Sequence, residues 1–155
     1  GYVFNEFILK ILEEEKCEIV DGSEVCNVVN EFEITGVGAK YKNLENYIIP
    51  EYGLNEIKIT RIGNNSFREL DNLRAIELSN NITRIGDGAF MGSSKLKNIY
   101  IPKGVLTIGF SAFRDCDALE EIRLGHSSEP ANWPTLETNA WNGNVNANIV
   151  WGASR

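Results

Sequence analysis

The sequence is poor in histidine, short of basic charge and free of long apolar runs, and each shortage removes a class of function. One histidine, His126, stands among 155 residues. His-rich zinc sites are therefore excluded, and a Ser-His-Asp triad would have to use that residue alone. Lys+Arg number 15 against Asp+Glu 22, a net charge of −7. A nucleic-acid binder needs a basic footprint, and none is visible. No apolar run approaches the ~20 residues of a membrane span, so no membrane insertion within this chain is expected. The first residues, Gly1-Tyr2-Val3-Phe4-Asn5-Glu6, lack a basic start and a cleavage pattern. Gly1 stands where Met is expected, which reads as a processed chain or a fragment, so the missing leader does not argue for the cytoplasm. What is present is 43% hydrophobic and 24% charged. That is too apolar for disorder, and at this length it suits one domain with a real core.

Three cysteines are present. The segment from Cys17 to Cys26 centres on Asp21-Gly22, a dipeptide that favours a two-residue type I′ turn. Around that loop Val20 faces Ser23, Ile19 faces Glu24, Glu18 faces Val25 and Cys17 faces Cys26. The two cysteines then fall at a non-hydrogen-bonded position, at the short end of the disulfide range. A Cys17–Cys26 bridge is predicted, which would point to an oxidising compartment. The alternative is two reduced thiols with unrelated neighbours. Cys116 is left over and reads as buried and inert.

An internal repeat dominates the rest. Ile62-Gly63-Asn64-Asn65-Ser66-Phe67, Ile85-Gly86-Asp87-Gly88-Ala89-Phe90 and Ile108-Gly109-Phe110-Ser111-Ala112-Phe113 are spaced by 23 residues. Leu73, Leu96 and Leu119 keep the same interval, as do the two apolar residues after each. The unit L-x-x-I-x-L ends in alternation, so Ile76 and Leu78 point one way while Ala75 and Glu77 point the other. Residues 59–62, 82–85 and 105–108 form a second short strand in each unit. The glycine after each is expected to supply a positive-φ corner, and the polar stretch after each Phe one helical turn. One unit cannot bury its own apolar edge; stacked units can, and the three Phe should pile into an aromatic column.

These residues resemble the BspA-like subclass of leucine-rich repeats. Ile101-Pro102, the Ile-Gly-x-x-Ala-Phe run at 85–90, and Ala112-Phe113-Arg114-Asp115-Cys116 match its pattern closely. Cys116 sits where that family often carries Cys, and Ser93 and Leu70 are its counterparts. Phe32-Glu33-Ile34-Thr35-Gly36 and Ile49-Pro50 look like the family's first, longer coil, with Tyr47 at the middle position of its L-x-x-I-x-I. Residues 130–134, Asn139-Ala140-Trp141 and Ile149-Val150-Trp151 are similar to its closing coil, with Trp141 in the Phe position. The fold class so implied is mainly β: a right-handed leucine-rich-repeat solenoid with 23-residue coils, short parallel strands and an irregular C-terminal closing coil. As one domain, 1–155 divides into an N-terminal cap (1–31), a first long coil (32–58), regular repeats (59–124) and the closing coil (125–155). Phe4, Phe7, Ile8, Ile11 and Leu12 follow helical spacing, so a helix over about Val3 to Lys16 is predicted, followed by the disulfide hairpin, as a cap over the open end. Related proteins often begin with a hairpin instead, and an irregular β coil is the further alternative.

Chemistry-bearing clusters are weak. Glu120 with Glu121, Asp115 with Asp117 and Glu13 to Glu15 show no fixed partner and read as solvated surface. Asp115 and Asp117 lack the rest of a calcium-loop signature. Residues 36–38 (Gly-Val-Gly) lack the Lys-Ser/Thr of a phosphate loop. His126 is expected exposed. The sequons at Asn64 and Asn81 matter only in a eukaryotic secretory host. No enzyme activity, cofactor or metal is expected. With Ile76 and Leu78 inward, Glu77, Tyr100 and Arg123 form one outward column, and Ala75, Asn98 and Glu121 the next, extended by Ile48 and Asn46. Glu77, Asn98, Tyr100, Glu121 and Arg123 are the candidate binding residues for a protein or glycan ligand; a solvated face with no partner is the plain alternative. Trp133, Trp141 and Trp151 read as closing-coil core. The resemblance implies an extracellular or surface-anchored protein, often adhesive. A monomeric recognition module is one expectation, and a passive spacer in a longer surface protein is the other.

Overall fold

The computed structural model describes residues 1–135, 140–144 and 146–155. Asn139, placed by the sequence in the closing coil, lies outside them. The chain opens with β1 (Tyr2–Phe4), β2 (Phe7–Val20) and β3 (Ser23–Val37), joined as antiparallel neighbours. The expected helix over Val3 to Lys16 is therefore absent: the segment is strand. The apolar residues there fit two periods, and the period of two wins. Phe7 and Leu9 are fully buried, while Ile8 and Lys10, alternating with them, are not. Pairing with β3 supplies a ladder of backbone bonds along the whole strand, broken only by a register shift between Ile8 and Leu9, which a short helix with one apolar stripe does not match.

The turn at Asp21-Gly22 has φ of 50° and 79°, the type I′ signature. Its register puts Cys17 opposite Cys26, and their sulfurs are bonded. The cap differs from expectation in a second way. Every residue from Glu15 to Val28 is exposed, so the disulfide-tied end of the ribbon covers none of the described core. Only its root closes the solenoid, through Phe7, Leu9, Phe32 and Ile34. That root is pinned by charge. Glu31 accepts hydrogen bonds from Lys16 at 2.5 Å and from Thr60 at 2.9 Å, and Glu14 pairs with Arg61. Burial alone would raise the Glu31 carboxyl, but those two donors, with the charges of Lys16 and Lys58, outweigh it and hold the group below its usual value.

From here the chain winds through β4 (Asn46–Ile48), β5 (Ile59–Ile62), β6 (Ala75–Glu77), β7 (Arg84–Ile85), β8 (Asn98–Ile101), β9 (Thr107–Ile108), β10 (Glu121–Leu124) and β11 (Asn148–Val150). Two sheets result. One runs β1-β2-β3-β5-β7-β9, the other β11-β10-β8-β6-β4. Within the repeats the pairing is parallel, and partners are 23 apart: Ile62 with Ile85, Ile85 with Ile108, Asn98 with Glu121. Between the sheets lie the inward positions. Phe67, Phe90 and Phe113 are fully buried and stacked, with centroids 5.5 and 5.3 Å apart and planes 9° and 2° from parallel. Phe7 meets one end of this column edge-on at 6.2 Å, and Trp141 meets the other at 6.5 Å. Each terminal ring face is thus covered by an aromatic edge, a favoured geometry.

The glycines act differently from expectation. Gly63, Gly86 and Gly109 do not have positive φ. Each donates its N–H to the preceding coil, to Ile34, Ile62 and Ile85, at 2.8 to 2.9 Å. The coils approach so closely there that a Cβ on Gly86 would lie 2.5 Å from the Asn64 nitrogen. The requirement is space. Left-handed backbone occurs instead at Asn65, Gly88 and Ser111, and again at Glu69, Gly92 and Asp115, both series 23 apart. These reversals turn the expected helical segment into consecutive hydrogen-bonded turns. Neighbouring coils are also laced by side chains: Asn64 accepts from the Asp87 N–H, and Asp87 from the Phe110 N–H, each at 2.8 Å.

The repeat equivalence of Leu70, Ser93 and Cys116 holds in space. All three are buried, Ser93 donates to the Phe67 carbonyl at 2.7 Å, and Cys116 sits 3.0 Å from the Phe90 carbonyl. Burial, aided by Asp117 and Asp115, pushes the Cys116 thiol up to about 12, so it stays protonated at neutral pH.

Candidate interaction surface

Outward side chains of the five-stranded sheet are set by alternation along each strand. On β6, Ile76 is buried and Ala75 and Glu77 are exposed; on β8, Ile99 and Ile101 are buried and Asn98 and Tyr100 look out. On β10 the pattern repeats with Glu121 and Arg123. Ladder pairing joins Asn98 to both Ala75 and Glu121, and Tyr100 to Arg123. Asn46 and Ile48 on β4 pair with Ala75 and Glu77, extending both columns, and Ile48 is 69% exposed. All five sequence-chosen residues therefore share one face. Beside them Arg74, Ala75, Lys95, Lys97, Asn98 and Glu120 line an open cleft of about 490 Å³.

The face is not bare. After β11, Gly152 (φ 66°) turns the chain back across the sheet. Its N–H donates to the His126 carbonyl at 2.6 Å, and that of Ala153 to the Leu124 carbonyl at 2.8 Å. The Tyr100 hydroxyl reaches the Ala153 carbonyl at 3.5 Å, and the Arg123 guanidinium donates to the Ser154 carbonyl. Arg155 then lies over the Tyr100 ring, 5.1 Å from its centroid. From there it donates to the Leu78 carbonyl at 2.8 Å and to Asn80 Oδ1 at 2.7 Å, and stands 3.7 Å from the Glu77 carboxylate. Arg123 lies 5.8 Å from the same ring and pairs with Glu121 at 3.4 Å. Arg155 and Asn80 were missed from the sequence because the tail and the loop after β6 carry no repeat signal.

The other sequence candidates fall elsewhere. His126 is half-buried, against expectation: its Nε2 is 2.7 Å from the Val105 carbonyl, and its ring meets Trp133 at 5.0 Å. Trp133 and Trp141 are buried and Trp151 packs against them, as closing-coil core. Trp141 stands at the end of the Phe column but turned 84° from Phe113, because the closing coil meets the last repeat out of register. Asp115 and Asp117 are exposed surface. Glu15 lies near Cys17 and Cys26, whose sulfurs are bonded to each other and so are not thiolate ligands. No helix among the described residues is long and apolar enough to cross a membrane.

Comparison with known proteins agrees with this architecture. The chain is similar to a leucine rich cell surface protein from Faecalibacterium prausnitzii, at 22% identity and a TM-score of 0.56 over 81% of this chain and 36% of that one. It is also similar to a leucine-rich repeat protein from Bacteroides capillosus, at 20% identity and a TM-score of 0.46, over 71% and 93% of the two chains. No curated protein matches. The chain thus spans about a third of the first structure's length, and the shared property is the fold. Folds of this kind suggest a protein-binding or structural module. The family description "BspA type Leucine rich repeat region" matches residues 39–146 in six copies, and the chain belongs to that leucine-rich-repeat family.

Proposed function

We propose that this chain is a non-enzymatic recognition module of a secreted or cell-surface protein, adhesin-like, acting as a single monomeric domain. Its partner is held on the outward face of the five-stranded sheet by Glu77, Asn98, Tyr100, Glu121 and Arg123. One observation carries the reading: a stretch of polypeptide already lies on this face, held by Tyr100 and Arg123 through its main-chain carbonyls. A surface that satisfies the backbone of one extended segment suits another of the same kind. Tyr and Arg are the residue types that dominate binding energy at such faces. The disulfide ribbon and the surface-protein relative support a location outside the reducing cytoplasm.

Replacing Glu77, Tyr100 and Arg123 together with alanine is expected to weaken attachment to immobilised matrix proteins or host cells by at least about tenfold, the loss of one or more hot-spot contacts. The thermal midpoint should stay close to that of the parent, since these side chains are outside the core. Unchanged attachment would favour a passive spacer within a longer surface protein.

A further inference from the structure

The way residues 152–155 are held on this face is selective. Main-chain contacts at Ala153 and Ser154 would serve any extended segment, but the seat of Arg155 would not. Its guanidinium meets two neutral oxygens, from Leu78 and Asn80, one carboxylate, from Glu77, and the face of Tyr100. A planar cation with a fork of donors can lie on the ring and reach both oxygens at once. A lysine ammonium is a compact point charge with no plane to lay on the ring. The seat is anchored on the sheet: Glu77 ends β6, the fully buried Leu78 follows it directly, and Tyr100 lies on the central strand. The Arg155 side chain keeps 39% of its exposure, so solvent and a competing segment can reach it. Beside it Asn80, Tyr100, Lys103, Gly125 and Ala153 line an open cleft of about 570 Å³.

We propose that the Tyr100 face is a seat for an arginine carried on an extended partner segment, and that residues 152–155 hold this seat in cis until the partner displaces them. This rests on the recognition role proposed above and adds the class of partner and the way access is controlled. A tethered occupant competes at the high effective concentration of an intramolecular ligand, so the free chain binds weakly and removal of Arg155 exposes the seat.

The test uses the full chain and its Arg155→Ala variant, titrated by NMR with the peptides acetyl-Ala-Ser-Arg-amide and acetyl-Ala-Ser-Lys-amide. Arg155→Ala should bind the arginine peptide about tenfold more tightly than the parent does, the factor set by the fraction of time the seat is filled. The lysine peptide should bind Arg155→Ala more weakly by a similar factor, about tenfold. Adding Tyr100→Ala to Arg155→Ala should abolish the shifts. Equal binding by parent and variant, equal binding of the two peptides, or no binding by the variant overturns the proposal. If the triple replacement still weakens attachment while the arginine peptide fails, the recognition face stands and the arginine seat falls.

Discussion

Replacing Phe90 with alanine is expected to lower the free energy of unfolding by about 3–5 kcal/mol, the range for removing a buried aromatic ring. Phe90 is fully buried with a parallel ring on each side, at 5.5 and 5.3 Å. Its neighbours are fixed by their own coils, so they cannot close the gap. Contact is lost on both faces of the missing ring, and a cavity remains. Urea titration followed by tryptophan fluorescence checks this, since Trp133 and Trp141 sit in the closing core. Phe110→Ala is the control: Phe110 is 50% exposed, and its loss should change stability by no more than about 0.5 kcal/mol. A loss at Phe90 as small as that at Phe110 would contradict the stacked interior.

The second large effect is at Gly109. Alanine there should destabilise the protein by about 3 kcal/mol, at the upper end for forcing atoms into a packed interior. A Cβ would lie 2.5 Å from the Asp87 nitrogen and 2.8 Å from its Cα. That contact is backbone, so it cannot swing aside. The Gly109 N–H also bonds to the Ile85 carbonyl at 2.9 Å, and separating the coils would break this bond. By contrast, Asn65→Gly at a left-handed position (φ 57°) should be neutral or mildly stabilising, because glycine adopts that backbone without strain. Thermal melts of the two variants separate a packing requirement from a dihedral one.

These two positions show what the sequence makes legible. The Phe column could be read because a solenoid places one interior side chain at a fixed interval, so a spacing of 23 maps directly onto adjacency. The glycines kept the same interval, yet spacing alone did not say why glycine was required. Positive φ and close backbone approach select the same residue, and only the coil-to-coil distance distinguishes them. Residues 3–16 are ambiguous in sequence for a related reason. Phe4, Phe7, Ile8, Ile11 and Leu12 satisfy a helical stripe, but Phe7 and Leu9 also satisfy alternation. The decision was made by a partner strand beyond the Asp21-Gly22 turn, and therefore by tertiary pairing. That same turn was local chemistry, so its register and the Cys17–Cys26 contact were readable.

The outward face divides along the same line. Glu77, Asn98, Tyr100, Glu121 and Arg123 could be aligned because they inherit the repeat. Arg155, whose guanidinium lies on Tyr100, could not, because it returns 77 residues along the chain to Leu78 by a non-repeating path. Binding residues in a repeat protein are thus foreseeable where the repeat places them, and invisible where a loop or tail completes them.

The measurement that bears most directly on the account is an aromatic-edited NOE spectrum of the protein with its Phe rings isotopically labelled. Stacked coils require cross-peaks between the rings of Phe67 and Phe90, and between those of Phe90 and Phe113, with none between Phe67 and Phe113. Missing neighbour cross-peaks, or a direct one between the outer pair, would contradict a chain wound in 23-residue turns about a common interior.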